Sequence, residues 1–316
     1  MDPLSDVLSL LKPRNHLSAG FAAGGDWAIQ FPDQQAGIKT GAVVSGRCWL
    51  AVEGVADPVR LEAGDFFLLP HGRPFRLASD LAVSPVEAAT VFSPARAGGI
   101  ATWNGGGDFL LFSSRFGLAG DHAAVLLGLL PPLVLLRDQP DQAALRWAVE
   151  RTMQELREPQ PGGFLVVEHL AHMMLVHALR RHLQDASGQH DSGQRGGVGW
   201  LFALADRRMA AAIGALHADP GRRWTVQALA AHVGMSRSTF AETFKAAVGA
   251  SPLDYLTRWR MRLAADRLVR TGEPVSAVAL SLGYESESAF ATAFKRVMGC
   301  PPRRYASGGT ETGRLT

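Results

Sequence analysis

Side chains that can hydrogen-bond to nucleic-acid bases and phosphates cluster in two short segments near the end of the chain. Hydroxyl and carboxylate groups match the donors and acceptors of base edges, whereas lysine and arginine match phosphates. Side chains of these types could therefore contact a nucleic acid, and the sequence predicts no catalytic residue. The candidate DNA-binding residues are Arg237, Ser238, Thr239, Ala241, Glu242 and Lys245 in the first segment and Glu287, Ser288, Ala291, Thr292, Lys295, Arg296, Arg303 and Arg304 in the second.

Both segments belong to one internal repeat, with copies at residues 226–255 and 275–305. Repetition of this kind indicates that one structural unit occurs twice. Glycine permits the backbone conformation that ends a helix, serine caps the next helix, and phenylalanines four residues apart share one helix face. Each copy therefore predicts a helix-turn-helix with its phenylalanines in the core. The matched positions are Gly234 and Gly283, Ser236 and Ser286, Phe240 and Phe290, and Phe244 and Phe294.

A single long helix is predicted between the two copies. Ser251 and Pro252 begin it well, and Thr271 and Gly272 end it. Roughly twenty residues give a rod about 30 Å long, close to the repeat of duplex DNA. We therefore expect two half-sites about one helical turn apart. Arg237, Ser238, Thr239 and Glu242 are expected to read one, and Glu287, Ser288 and Thr292 the other.

Residues 206–305 resemble the DNA-binding domain of the AraC family of bacterial transcription regulators. The second copy carries the resemblance most specifically, at Gly283, Tyr284, Ser286, Phe290, Phe294, Lys295, Gly299, Pro302 and Tyr305. The resemblance implies a regulator that binds double-stranded DNA, with RNA polymerase as a partner and a homodimer as the assembly. Glu242 stands where the family often has arginine, which leaves the base contacts of that helix open. The alternative is a tri-helical module that contacts proteins.

Positive charge is concentrated in the part of the chain that contains the repeat. The net charge is +3, yet residues 206–316 hold 16 Lys and Arg against 9 Asp and Glu, and residues 1–205 hold 16 against 20. Lysine and arginine that neutralise phosphates release counterions and so favour binding to a polyanion. The charge distribution therefore agrees with DNA as the partner.

The sequence also predicts a compartment. Cys48 and Cys300 fall in different predicted domains, so no disulfide is expected. The first residues lack an apolar run followed by a cleavage site, and charged residues and histidines interrupt the most apolar helical stretch, 165–183. We therefore expect a cytoplasmic protein without a membrane partner.

Short apolar runs separated by Gly, Pro and Asp occupy residues 20–92 and predict the strands of a small barrel, the last of them at 88–92. Residues 64–72 resemble the second motif of the cupin barrels, and residues 38–46 lie where the first would be. In metal-binding cupins this resemblance implies histidines near positions 41 and 75, where this chain has Gly41 and Phe75. Too few ligands remain for a catalytic metal, so neither a metal nor another cofactor is predicted.

The resemblance extends to the cupin-type sensory domain that precedes the DNA-binding part in a subgroup of these regulators. A barrel mouth is a natural cavity for a small-molecule effector. Two alternatives stay open: a metal-dependent cupin enzyme with a nucleic-acid-binding tether, and a barrel that only dimerises. The candidate effector-binding residues are Trp27, Arg47, Trp49, His71 and Arg73.

The predicted fold is α+β and multidomain, with an N-terminal cupin-like β-barrel, flanking helices and a C-terminal all-α double helix-turn-helix. Helices are expected at 2–11, at 141–158, at 163–184 and from Asp121 onward. The helix at 163–184 is apolar over more than half its circumference, so Met173 and Met174 fit a dimer interface and a domain core equally well. The predicted domains are a barrel at 1–135, a helical dimerisation region at 136–186, a flexible linker at 187–200, the DNA-binding domain at 201–308 and a disordered tail at 309–316.

Overall fold

The computed structural model describes residues 2–11, 13–34, 37–92, 99–117, 130–137, 143–189 and 199–307. Its contacts divide the chain into two compact units, Leu11–Asp185 and the combination of Met1–Leu10 with Ala186–Thr316. The helix expected from Asp121, most of the linker expected at 187–200 and the tail expected at 309–316 lie outside the described residues. The predicted domain bounds therefore stay a proposal.

Two β-sheets form the first unit. Their strands are β1 (Arg14–Ala23), β2 (Ala28–Phe31), β3 (Ile38–Ser45), β4 (Arg47–Val52), β5 (Val59–Glu62), β6 (Phe66–Leu69), β7 (Phe75–Ala78), β8 (Val86–Glu87), β9 (Ile100–Trp103), β10 (Phe109–Gly117) and β11 (Val134–Leu136). Within the described residues, one sheet has the order β11-β6-β3-β10-β1-β9 and the other β5-β4-β7-β2-β8. Strand β10 pairs antiparallel with both β1 and β3, so it lies at the centre of the larger sheet.

Helices flank the sheets and build the second unit. Their bounds are α1 (Pro3–Leu11), α2 (Ala88–Phe92), α3 (Ala143–Arg157), α4 (Gly163–Gln189), α5 (Trp200–Ala203), α6 (Arg207–Ala218), α7 (Val226–His232), α8 (Arg237–Val248), α9 (Pro252–Arg270), α10 (Val275–Ser281), α11 (Glu287–Met298) and α12 (Pro302–Ala306). The prediction of a β-rich N-terminal part and an all-α C-terminal part is confirmed. Across the described ranges, none of these helices combines the length and the apolar character that crossing a membrane requires.

One core lies between the two sheets. It includes Phe21 and Leu111 from the larger sheet and Phe31, Leu50 and Phe75 from the smaller one. Because side chains alternate along a strand, the burial of these residues fixes which of their neighbours face inward. The core therefore determines which polar residues of β3 and β10 point into the barrel.

Residues 88–92 form helix α2, so the prediction of a strand there is wrong. The segment begins with two alanines, which are the best helix formers, and its buried residues Ala88 and Val91 are three apart on one helix face. A short apolar run does not by itself distinguish a strand from one turn of buried helix.

Helix α4 follows the predicted position but runs five residues past its predicted end at 184. Its buried face includes Leu170, Met174 and Leu175, whereas Met173 is half-buried. At its first turn, Phe164 and Leu165 are 73% and 57% exposed. The helix thus buries one stripe within its own unit and leaves apolar surface at its N-terminal end.

Helix α1 packs with the C-terminal helices, where Asp6 meets the buried His217 of α6. Burial above all, and then nearby Arg262, lowers the pKa of His217 to about 3. The imidazole is therefore neutral at pH 7, and its Nδ1–H donates to Asp6 Oδ2 at 3.3 Å while Nε2 accepts from the Tyr255 hydroxyl at 2.8 Å. The ring also stacks on Trp259 with centroids 3.8 Å apart. Buried Leu4 and Val7 complete the contribution of α1.

Candidate nucleic-acid interface

Both predicted helix-turn-helix motifs are present, and their turns are built by the predicted residues. Gly234 and Gly283 have φ of 66° and 79°, a left-handed conformation that favours glycine. The Ser236 hydroxyl accepts from the Thr239 backbone N–H, and the Ser286 hydroxyl accepts from the Ala289 backbone N–H, each at 3.2 Å. These caps set the start of the two recognition helices, α8 and α11.

Four phenylalanines anchor the recognition helices. Phe240 and Phe244 of α8 and Phe290 and Phe294 of α11 are fully buried. Burying each ring contributes about 1.5–3 kcal/mol. Because these positions fix the inner face of each helix, the opposite face is presented to solvent. The candidate residues on that face are exposed, except Ala241, Glu287 and Ala291, which are half-buried.

The first recognition surface places hydroxyl groups at the N-terminal turn of α8. The Ser236 hydroxyl lies 3.2 Å from that of Ser238 and 2.8 Å from that of Thr239. A hydroxyl carries one donor and two acceptor positions, so both side chains keep further hydrogen-bonding capacity. In a helix-turn-helix this turn of the second helix meets base edges.

The second recognition surface contains an ion pair that the sequence did not predict. Arg303 Nη2 of α12 donates to Glu287 Oε1 of α11 at 3.0 Å. The Thr292 hydroxyl donates to the Ser288 carbonyl oxygen at 3.0 Å. Glu287, a candidate for reading bases, and Arg303, a candidate for contacting phosphate, are therefore paired with each other.

Four of the remaining candidate cations are exposed and form no ion pair with any described residue: Lys245, Lys295, Arg296 and Arg304. Lysine and arginine ends in solvent can neutralise phosphates without first breaking a contact. They flank both recognition helices, and their contact with phosphates stays a prediction.

Helix α9 joins the two motifs with the predicted ends. The Ser251 hydroxyl accepts from the Asp254 backbone N–H at 3.3 Å, and Gly272 beyond the last turn has φ of 63°. Nineteen residues give a length of about 28 Å. This length agrees with the rod of about 30 Å that the sequence predicts between the two copies.

Arg260 of α9 is a positioning residue that sequence reasoning missed. Its Nε donates to the Pro220 carbonyl oxygen at 2.6 Å, and its guanidinium lies 5.7 Å from the centroid of the Tyr284 ring. It thereby connects the loop before α7 with the turn of the second motif. No local sequence pattern signals this role, because both partners are distant along the chain.

The structure does not bring the five candidate effector-binding residues together. Trp27 and Arg47 line one cavity of about 730 Å³. Trp27 is also part of the core, since its ring lies 4.6 Å from that of Phe109. Trp49 is half-buried and alternates along β4 with the core residue Leu50, so it faces away from the core.

The other two candidates are engaged by backbone groups. His71 Nε2 hydrogen-bonds to the Leu130 carbonyl oxygen at 2.9 Å, and Arg73 Nη1 donates to the Glu53 carbonyl oxygen at 3.3 Å. Neither residue lines the cavity that contains Trp27 and Arg47. The effector assignment of all five residues stays a prediction.

Aromatic rings fill the two positions at which the cupin resemblance implies histidine ligands. A Cβ at Gly41 would lie 2.3 Å from the Phe67 ring. The Phe75 ring stacks on Phe31 with centroids 4.3 Å apart. In the part of the chain that the structure describes, no group of three or more His, Cys, Asp or Glu side chains could hold a metal ion.

Two cations that sequence reasoning missed, Lys39 and Arg115, face the barrel interior. They are direct partners on β3 and β10 and line a cavity of about 490 Å³. Lys39 is only 7% exposed, and burial, with a further contribution from Arg115, lowers its pKa to about 8. The sequence signal for Lys39 was a lysine within an apolar strand. The sequence did not show which way this side chain points, because β3 is buried on both faces and its apolar and polar residues do not alternate.

Comparisons with known proteins agree with both parts of the chain. The cupin family model matches residues 2–184, and a helix-turn-helix domain model matches residues 229–308. Proteins named as AraC-like transcription regulators in Streptomyces lividans and Streptomyces antibioticus are each 45% identical over 96% of this chain and 98% of their own. The HTH-type transcriptional regulator AlkR of Acinetobacter baylyi is 28% identical over 96% of this chain and 99% of its own.

Proposed function

The chain belongs to the AraC family of DNA-binding transcription regulators, with a cupin domain before its helix-turn-helix motifs. From this premise we propose which residues read bases and which contact phosphates. The two recognition helices read separate half-sites of one duplex. The observation that carries this proposal is that α8 and α11 have the same cap, the same buried phenylalanines and the same exposed face, and are joined by the 19-residue helix α9. The domain division predicted from the sequence is part of the same proposal from residue 11 onward, whereas Met1–Leu10 have their contacts in the unit of the C-terminal helices.

Within each half-site, hydroxyl and carboxylate groups supply specificity and cations supply affinity. Ser238 and Thr239 stand at the turn that meets base edges in α8, and Ser288 stands at the same turn of α11. Phosphate contacts orient a protein on DNA without reading its sequence. We assign that role to Lys245, Lys295, Arg296, Arg303 and Arg304.

Selection of bound sites from random duplex DNA tests this division. Ser238→Ala and Ser288→Ala should each relax base preference in one half-site only, because each removes a hydroxyl from one recognition helix. Arg304→Ala is the matched control, and it should weaken all sequences alike. If all three substitutions gave the same sequence-independent loss, the division would be wrong.

We also propose that the barrel senses a small organic effector and is not an enzyme. The relatives are named as transcription regulators, and the positions of two expected metal ligands are occupied by the Phe67 ring and by the Phe31–Phe75 stack. Measuring bound metal in the purified protein and screening for turnover test this part. Stoichiometric zinc or iron together with turnover would favour the cupin-enzyme alternative.

The proposed assembly is a cytoplasmic homodimer that contacts RNA polymerase. Exposed apolar surface at the start of α4 supports a dimer interface there, since Phe164 and Leu165 are largely exposed. Leu165→Glu should shift the protein to monomers in sedimentation velocity experiments without a change in thermal stability. Leu175→Glu, at a fully buried position of the same helix, should instead unfold the domain. Dimers that persist in the Leu165→Glu variant would place the interface elsewhere.

A further inference from the structure

We propose that the cavity lined by Lys39 and Arg115 binds an organic carboxylate with an apolar body, and that the carboxylate contacts both cations. This inference deepens the proposed function, on which it rests for its regulatory effect, because it names the chemical class of the effector. The binding step itself can be measured without DNA.

Among the residues that the structure describes, the two cations have no anionic partner. Lys39 Nζ donates to the Ser113 hydroxyl at 3.1 Å, and Arg115 Nη2 donates to the Gln34 carbonyl oxygen at 2.6 Å. Within the described ranges, neither side chain forms an ion pair with a carboxylate. Holding two like charges at one largely buried place costs free energy unless an opposite charge joins them. A bound anion would supply that charge.

The available donors match a carboxylate. An ammonium has three N–H donors, and Lys39 uses one of them on the Ser113 hydroxyl. The same Nζ lies over the Phe31 ring, 5.6 Å from its centroid. The Nε of Arg115 is buried and has no hydrogen-bond partner. A carboxylate has two oxygens that can accept from both cations at once, and such charge-assisted hydrogen bonds are among the strong ones.

The rest of the cavity is suited to an apolar body. Beside the two cations it is lined by the apolar side chains of Leu17, Phe31 and Phe92. Its volume of about 490 Å³ is in the range of small-molecule sites, roughly 300–1,000 Å³. A small hydrated anion such as inorganic phosphate would lose water in this cavity without burying apolar surface. The lining therefore favours an amphiphilic acid.

A neighbouring cavity provides a contrast in charge. It has a volume of about 530 Å³ and shares His16 and Leu17, yet it is lined by Glu155 and Glu168. The Glu155 Oε2 atom is buried and has no hydrogen-bond partner. An amine with the same apolar body should therefore not compete for the cation-lined cavity, and it serves as a control ligand.

Isothermal titration calorimetry of the full chain tests the proposal with four probes. Octanoate has both the carboxylate and the apolar body, acetate has only the carboxylate, octan-1-ol has only the body, and octylamine reverses the charge. We expect octanoate to bind at least about tenfold more tightly than acetate and octan-1-ol, a difference of about 1.4 kcal/mol, and we expect octylamine not to displace bound octanoate. Equal binding of octanoate and octan-1-ol, or no binding of octanoate, would overturn the proposal. Octyl sulfate distinguishes a carboxylate site from a general site for anionic amphiphiles, and tighter binding of the sulfate would overturn the choice of carboxylate.

Two matched variants locate the site. Lys39→Met keeps a similar side-chain length without charge and should weaken octanoate at least about tenfold. Arg60→Met removes an exposed cation of β5 that does not line this cavity, and it should leave octanoate binding unchanged. Thermal unfolding without ligand shows whether each variant is folded. Equal affinities in Lys39→Met and Arg60→Met would place octanoate elsewhere and overturn the proposal.

The pH dependence gives a second readout that needs no substitution. Among the described residues, the ionisable side chains that line this cavity with Lys39 are Arg115 of β10 and His16 of β1. An anion binds the protonated lysine, so affinity should fall as pH rises above about 8, where free Lys39 loses its proton. A constant affinity between pH 7 and pH 10 would contradict contact with Lys39.

Regulation is tested separately from binding. Octanoate added to the complex of full chain and DNA should change DNA affinity, and DNA should change octanoate affinity by the same factor. If octanoate binds in a Lys39-dependent way and DNA affinity stays constant, the site stands and the sensory part of the proposed function fails.

Discussion

Glu287 combines two properties at the residue scale: it faces the predicted DNA surface, and its carboxylate holds Arg303. The two side chains are 41% and 81% exposed. An exposed ion pair contributes about 0–1 kcal/mol to stability. The pair therefore matters less for folding than for DNA binding, because an arginine held by a carboxylate is less available to a phosphate.

Glu287→Ala should accordingly increase non-specific DNA affinity and steepen its salt dependence by about one phosphate contact, while base preference in the second half-site relaxes. Stability should change by less than about 1 kcal/mol. Glu242→Ala is the control, since it removes the same charge from a glutamate on α8 that has no ion pair among the described residues. Fluorescence anisotropy at several salt concentrations measures both, and equal gains in the two variants would mean that only net charge counts.

His217 predicts how stability responds to acid. Unfolded histidine takes up a proton near pH 6.5, whereas folded His217 stays neutral to about pH 3. The unfolded state thus binds more protons in this window, so the free energy of unfolding should fall as pH drops, by up to about 1.4 kcal/mol per pH unit. Asp6, Tyr255 and Arg262 are the ionisable groups around the ring.

Burial raises the pKa of Asp6, which acts in the opposite direction because the folded state then holds its proton above pH 3.8. Urea unfolding of the Asp6→Asn variant from pH 4 to pH 7 isolates the histidine. His217→Gln in that background should remove the slope, and a slope that survives would assign the acid sensitivity to another group.

Individual site residues could be predicted where the helical spacing of buried residues showed which face of the helix is exposed. The phenylalanine spacing in α8 and α11 determined the outer face, so the exposure of Ser238 and Ser288 was predicted from the sequence, and their contact with bases stays a prediction. Lys39 was missed because neighbouring residues of β3 are buried on both faces. The Glu287–Arg303 pair was missed because it joins two helices whose angle the sequence does not encode locally.

At the element scale, the two turns differ although their sequences repeat. Gly234 and Gly283 have nearly the same φ, yet a Cβ at Gly234 would meet nothing within 4 Å, and a Cβ at Gly283 would lie 2.1 Å from the Gly221 carbonyl oxygen. The second turn is therefore packed against another backbone segment, and the first is open.

Gly234→Ala should lower stability by about 1–2 kcal/mol, the cost of a left-handed alanine. Gly283→Ala should cost about 1–3 kcal/mol more, because the Gly221 backbone must also move. Chemical denaturation of both variants measures the difference, and each serves as the control for the other. Equal losses would mean that the carbonyl of Gly221 shifts without cost.

Helices with marked ends were predicted better than strands. Ser251, Pro252 and Gly272 gave α9 its ends, whereas the helix at 88–92 follows Val86 and Glu87, which signal no helix start, and was predicted as a strand. Strand β1 begins at Arg14, earlier than the expected strand region at residue 20, because its first part pairs with β10 far along the chain. Such pairing is a tertiary contact, and local composition carries little information about it.

The charge distribution sets the expected behaviour of the whole molecule. Residues 206–316 hold seven more positive than negative side chains, and Lys245, Lys295, Arg296 and Arg304 project into solvent. Raising salt from 50 mM to 200 mM should reduce DNA affinity steeply, by about 10³-fold or more if six phosphates are contacted. Lys245→Ala should make the slope shallower by about one, and Lys39→Met, with its charge inside the barrel, should leave it unchanged. Affinity that stays flat across this range would contradict the predicted phosphate contacts.

Helix α1 gives the chain an unusual path. The polypeptide starts in the same unit as its last described helices, leaves it near residue 11 and returns near residue 186. The barrel is thus inserted into a host unit whose own chain both precedes and follows it. A fragment that begins at residue 200 would lack Leu4, Asp6 and Val7 of α1, and the His217 ring would lose its contact with Asp6. An intact host would instead be obtained by excising the barrel and bridging the two cut ends, with α1 retained.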